Sequence, residues 1–80
     1  MKATVLVRPK DGILDPQGEA VGSSLRSLGF AVSRARVGRL VELDLDATDS
    51  ATARTEVERM CAELLANPLI ESVEIQVLAE

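Results

Sequence analysis

The chain has no histidine, tryptophan or tyrosine, and only one cysteine and one phenylalanine. Each absence removes a class of chemistry. Without histidine, no side chain titrates unaided near neutral pH, and imidazole ligation of a metal is excluded. With a single aromatic ring there is no platform on which single-stranded nucleic acid could stack its bases. A formal net charge of −4 works against binding a phosphate backbone, which requires a basic surface. One cysteine cannot close an internal disulfide and fits a reducing compartment. No apolar run reaches membrane length, and Met1-Lys2-Ala3 passes directly into a strand pattern with no signal-peptide core. The expectation is a cytoplasmic chain with no nucleic-acid or membrane partner.

Eighty residues predict one domain, residues 1–80, with a single modest core. A chain of this size buries only about 60–65% of the surface its unfolded form exposes. No metal cluster, disulfide framework or repeat supplements that core, so self-association or docking into a larger complex is expected.

Ala3, Val5 and Val7 alternate with Lys2, Thr4 and Arg8, which predicts a first strand ended by the turn residues Pro9-Lys10-Asp11-Gly12. Asp15 followed by Pro16 opens a helix. The carboxylate can accept from free N–H groups of the first turn, and proline at the first helical position lacks the N–H that would go unused. Val21, Leu25 and Leu28 form the stripe expected to face inward, and Gly29-Phe30 reads as the C-terminal cap. Gly18 and Gly22 oppose this helix, since each costs about 0.8–1 kcal/mol relative to alanine. Their use is expected to be the close approach of another backbone.

Ala35, Val37, Val41, Leu43 and Leu45 hold one parity, broken only by Arg39. Two readings stand: one long strand bent at Gly38, or two strands joined by a hairpin turn at Gly38-Arg39. The unbroken parity leans to the long strand, whose far half would overrun the domain and pair with another subunit. A second helix follows, with Thr48, Asp49 or Ser50 as cap and Ala53, Val57, Met60, Cys61 and Leu64 inward. Asn67-Pro68 stops it, and Val73, Ile75 and Val77 mark a last strand. The order β-α-β-α-β predicts an α+β fold, an antiparallel sheet with two helices on one face, ferredoxin-like or related. Leu6 and Leu40 mark the opposite face as the place for a second subunit, giving a dimer through the sheet.

No residue set suits catalysis. Cys61 lies on an apolar stripe with nothing to activate it. Lys10, Asp11 and Asp15 read as a solvated turn and a helix cap before they read as an acid–base set. An anion at the first helix N-terminus would meet Asp15 and Glu19. Arg34, Arg36 and Arg39 form the only basic cluster, either a face crossed by ion pairs or a partner-binding patch.

Four stretches in order, Lys10 to Val21 (KDGILDPQGEAV), Ser27 to Phe30, Arg36 to Leu43 and Leu64 to Glu71 (LLANPLIE), closely resemble the PurS family. This family is the small subunit of phosphoribosylformylglycinamidine (FGAM) synthase in de novo purine synthesis. The resemblance covers nearly the whole chain. It implies a non-catalytic subunit that binds no cofactor itself, within a complex that uses ATP, Mg and glutamine. It implies as partners a large synthetase subunit (PurL) and a glutaminase subunit (PurQ), which the small subunit brings together to support ammonia transfer, and self-association to a dimer or tetramer. Carried onto this chain, the resemblance assigns partner contacts to Lys10, Gly12, Asp15, Gln17, Gly18, Arg36, Gly38 and Arg39. Pro16, Gly29, Asn67 and Pro68 take structural roles. Arg39 stands where the family often has lysine, and the first helix is more polar than expected at Ser23, Ser24, Arg26 and Ser27. Two rival readings remain: a small-metabolite-binding regulatory module of similar fold, and a small stand-alone enzyme using Lys10 and a carboxylate.

Overall fold

The computed structural model describes residues 1–78. Three strands, β1 (Lys2–Pro9), β2 (Arg39–Asp44) and β3 (Glu71–Leu78), form one antiparallel sheet in the order β2-β1-β3. Two helices, α1 (Pro16–Ser27) and α2 (Ser50–Met60), complete an α+β fold with the expected element order.

The central strand sets the core. Ala3, Val5 and Val7 of β1 are buried against Val57 and Cys61, with Val41, Leu43, Ile75 and Val77 half-buried around them, and Ala53 of α2 is also buried. These side chains share one sheet face because register places Val5 opposite both Val41 and Ile75 and alternate residues point the same way. The other face carries Lys2, Thr4, Leu6 and Arg8 of β1, with Glu42 and Asp44 of β2 and Glu74 and Gln76 of β3 in register.

No hairpin forms at Gly38-Arg39, and the long-strand reading is shortened: the ladder to β1 begins only at Arg39. The register would next set Val37 against Pro9. Pro9 has no N–H to give, and the Val37 N–H donates instead to Asp15. Gly38 lies so close to the Val7 carbonyl that any Cβ there would collide with it.

The two helices meet the rest of the chain differently. α2 lies on the sheet and continues into a π-helical turn, Cys61–Leu65, in which the Ala66 N–H donates to the Cys61 carbonyl at 3.2 Å. The wider turn shifts the inward stripe by one residue. Leu65 is half-buried beside the core, whereas Leu64, expected inside, is 84% exposed. α1 lies against the chain leading into β2. Its buried residues are Gly18 and Gly22, facing Ala35, and not the expected stripe: Leu25 is half-buried, but Val21 is exposed and Leu28 is 74% exposed. A Cβ at Gly18 would sit 2.5 Å from the Ala35 carbonyl oxygen, so this glycine admits a neighbouring backbone at the helix surface. At the C-terminus of α1, Phe30 N–H donates to Leu25 and Gly29 N–H to Arg26, with Gly29 at φ 96°, the paired bonds of a Schellman cap.

The core is small enough that one methyl-bearing side chain matters. Val57→Ala empties space between α2 and β1, and is expected to lower unfolding free energy by about 2–3 kcal/mol, read as a lower urea midpoint with an unchanged slope. Val21→Ala, on the exposed helix face, is expected to leave the midpoint of the isolated chain nearly unmoved.

Candidate functional site

The sequence-derived positions gather at one end of the molecule, where the β1–α1 turn, the start of β2 and the turn before β3 meet. Two contacts of Lys10 close this end. Its N–H donates to Ile70 at 2.9 Å and its ammonium to the Pro68 carbonyl at 2.7 Å. Asn67 organises the facing turn by accepting from the Leu69 N–H on its side chain and from the Ile70 and Glu71 N–H groups on its carbonyl. Gly12 takes φ 83° in the first turn, a conformation that suits glycine.

Asp15 is the junction of two segments. One carboxylate oxygen accepts from the Gly18 N–H at 3.0 Å and the other from the Val37 N–H at 2.9 Å. These bonds, that to Val37 foremost, hold its pKa below the ordinary aspartate value, with Arg36 and Arg34 adding a smaller pull. Pro16 is the first helical residue. Asp49 repeats the cap for α2: the Thr52 N–H and hydroxyl both donate to it and lower its pKa.

Arg39 is half open to solvent yet structurally occupied. Its guanidinium makes two bonds to Glu71, at 2.7 and 3.0 Å, and a third to the Leu65 carbonyl at 2.6 Å. It therefore ties β2 to the start of β3 and to the end of the π turn. Glu71 also accepts from the Asn67 N–H at 2.8 Å, and Arg39 followed by this N–H holds its pKa below the ordinary glutamate value. Arg36 pairs with Asp11 at 3.3 Å, and Arg34 reaches the same oxygen at 3.9 Å. The basic cluster is thus divided between Arg39, which pairs with Glu71, and Arg34 and Arg36, which lie beside Asp11.

Of the sequence-derived set, Lys10, Gly12, Gln17, Arg36, Gly38 and Arg39 are exposed, Asp15 is half-buried and Gly18 buried. The charged groups of Lys10, Asp15, Arg36 and Arg39 are all bonded within this chain. Leu14 and Leu69 were missed. They are 78% and 81% exposed on the two turns that Lys10 joins, too large and apolar to be so open without a covering surface. Between the turns lies a cleft of about 330 Å³ with Pro9, Ile13, Leu14, Pro16, Val37 and Ile70 among its lining. Cys61 is buried, and burial, aided by Glu58, pushes its thiol pKa up, away from the nucleophilic thiolate. Among the described residues no cluster of three or more potential metal ligands occurs, and no helix is long and apolar enough to cross a membrane.

The three lowered carboxylates contribute to the acid response. Their folded-state pKa values lie below their unfolded ones, so their stabilisation is complete above the ordinary carboxylate range, about pH 4. It is lost as pH falls through the depressed folded values. Urea midpoints are expected to be level down to about pH 5 and to fall steadily below it. Glu71→Gln should flatten that fall while lowering stability at neutral pH. An unaltered slope would mean that the Arg39 contact leaves Glu71 unperturbed.

The geometry can be set beside known proteins. The PurS family, described as phosphoribosylformylglycinamidine (FGAM) synthase, matches residues 2–79. The PurS subunit of FGAM synthase from Synechocystis is 45% identical over 76 residues, covering 94% of this chain and 74% of that protein. The structure of Bacillus subtilis PurS superposes with a TM-score of 0.87 at 37% identity over 98% of each chain. A chain in the structure of PurLQS from Thermotoga maritima gives a TM-score of 0.86 at 32% identity, covering 96% of this chain and 95% of that one. With a family match over nearly the full length, and relatives and folds agreeing across the same span, this chain belongs to the PurS family of FGAM synthase.

Proposed function

We propose that this chain is the non-catalytic small subunit of FGAM synthase in de novo purine synthesis. In this reading it holds the ATP-dependent synthetase subunit and the glutaminase subunit together and supports ammonia transfer between them. Membership in the PurS family supports the subunit role, and the match to a chain in a PurLQS structure supports assembly with two further subunits. The observation that carries the reading is the chemistry of the Lys10–Gly18 end. The carboxylate of Asp15 is spent on backbone N–H groups and the ammonium of Lys10 on a carbonyl. The sole thiol is buried elsewhere. What this end presents is two leucines, Leu14 and Leu69, beside the exposed side chains of Gln17 and Arg36. Apolar anchors rimmed by polar groups suit a protein partner better than a reaction.

The synthetase and glutaminase carry the chemistry in this account. ATP and Mg belong to the complex, this chain holds no cofactor, and the cytoplasm is its setting. In place of the Leu6–Leu40 face expected from the sequence, a second copy covers what the monomer leaves open: Val21 and Leu28 of α1, and the β2 side of the sheet, where Val41, Leu43 and the following Leu45 are only half-buried. Both are aliphatic, and α1 leaves most of its stripe open within its own chain.

The test mixes this chain with the cognate synthetase and glutaminase, with glutamine and MgADP present, and follows molar mass by light scattering alongside turnover. Glutamine-dependent turnover and a ternary peak should both require this chain, while turnover with ammonium salts should survive without it. Leu14→Asp with Leu69→Asp should cut glutamine-dependent turnover by about tenfold or more, the effect of losing a few kcal/mol of buried apolar contact. Equal assembly and turnover in its absence would overturn the bridging role. A stabilising shift of the isolated chain by an amino acid or nucleotide would then favour a metabolite-sensing module.

A further inference from the structure

We propose that α1 and residues 32–37 form one rigid arm that turns on the sheet about an axis through Gly12 and Gly38, latched by Asp11.

The arm is bound together internally. Asp15 bonds both Gly18 and Val37, the Arg26 guanidinium donates to the Val32 carbonyl at 3.1 Å, and Gly18 and Gly22 lie against Ala35. The sheet and α2 form the other body, closed by the shared core and by Arg39 with Glu71 and Leu65. Between the two there is little. α1 buries no apolar side chain, and the space where the bodies meet is the open cleft with Leu14, Pro16 and Val37 on the arm side and Pro9, Arg39 and Ile70 on the other. A segment joined to its neighbour by so few buried contacts sits at the low-stability end of a structure.

The connections define how it can move. The chain passes between the bodies twice, near Gly12 and at Gly38, and two attachment points leave one axis of rotation. Gly12, at φ 83° with nothing within 4 Å of a Cβ, has the freedom a pivot needs. Among the described residues, the side-chain links across that axis are the ion pairs from Asp11 to Arg36 and Arg34. Asp11 is 86% exposed, so these pairs are weak and screened by salt. They suit a latch and not a weld. The motion swings Val21 and Leu28 relative to the sheet. In the self-associated form it would set the angle between the two copies, though the arm itself does not depend on that association.

Pulsed dipolar spin-label distances test this on the full chain in a Cys61→Ser background, diluted with unlabelled chain so that only intramolecular pairs contribute. Ser24→Cys paired with Glu56→Cys spans arm and body, Ser24→Cys with Ser33→Cys lies within the arm, and Glu56→Cys with Gln76→Cys lies within the body. The arm–body distribution should be about twice as broad as the other two. It should broaden or shift further with Asp11→Asn, an exposed change that leaves the core intact. A narrow arm–body distance in the parent chain that broadens only in Asp11→Asn would equally support a latched hinge. A distance as narrow as the internal pairs in both chains would overturn the proposal.

Discussion

The two oxygens of Asp15 are divided between a helix that starts beside it and a strand approach that arrives 22 residues later, at Val37. This division decides the layout of half the chain. By taking the Val37 N–H, the carboxylate removes from the β1–β2 ladder the donor that Pro9 could only have accepted, so pairing ends at Arg39. By taking the Gly18 N–H, it fixes the first turn of α1 at the same point. Residues 32–37 must then run along α1, where a Cβ at 18 would collide with the Ala35 carbonyl and one at 22 would only touch Ala35 at ordinary contact distance. Gly18, which weakens helix propensity, is therefore part of the same arrangement as the cap.

Arg39 and Glu71 hold the opposite side of the same end. Both lie on the parity of aliphatic residues that pack on the core: Val41, two residues on from the arginine, and Ile75, four on from the glutamate. An ion pair at this rim keeps two long side chains in a planar two-bond geometry and delivers a third bond to the last turn of the helix. A lysine at this position could not make all three contacts from one planar group. The arginine thus stiffens the junction against which the Lys10 turn and the leucine-bearing loop are set. Partner-facing residues and structural residues interleave along the chain, so a motif as long as KDGILDPQGEAV mixes both kinds.

Much of this was legible beforehand. Parity placed Ala3, Val5 and Val7 in the core, the Asp15-Pro16 and Asp49 starts opened helices, and Gly29-Phe30 closed one. The misses have physical causes. A stripe such as Val21, Leu25 and Leu28 reports which side of a helix can be buried, not which chain covers it, and here this chain leaves most of it open. Leu64 and Leu65 are both compatible with an α-helical face, and the π turn that chooses between them has no residue signature. Arg39 interrupts the apolar parity and reads as part of a face crossed by ion pairs or of a partner-binding patch. It is exposed and ion-paired, but its partner is not evident from the strand pattern around it. The signal that points to that partner is Glu71, another charge on inward parity at the end of a strand. Leu14 and Leu69 lie in loops, where periodicity carries no information about exposure, and only the fold brings them to one end.

The central claim is that one carboxylate couples α1 to the approach of β2, and amide hydrogen exchange of Gly18 and Val37 tests it most directly. In the parent chain both amides should be protected, and Asp15→Asn should weaken that protection at both positions together while leaving Val5 and Ile75 of the sheet unchanged. Loss of protection at Gly18 alone, with Val37 still slow, would mean that the strand approach is held by something else, and the account of the arm would fail.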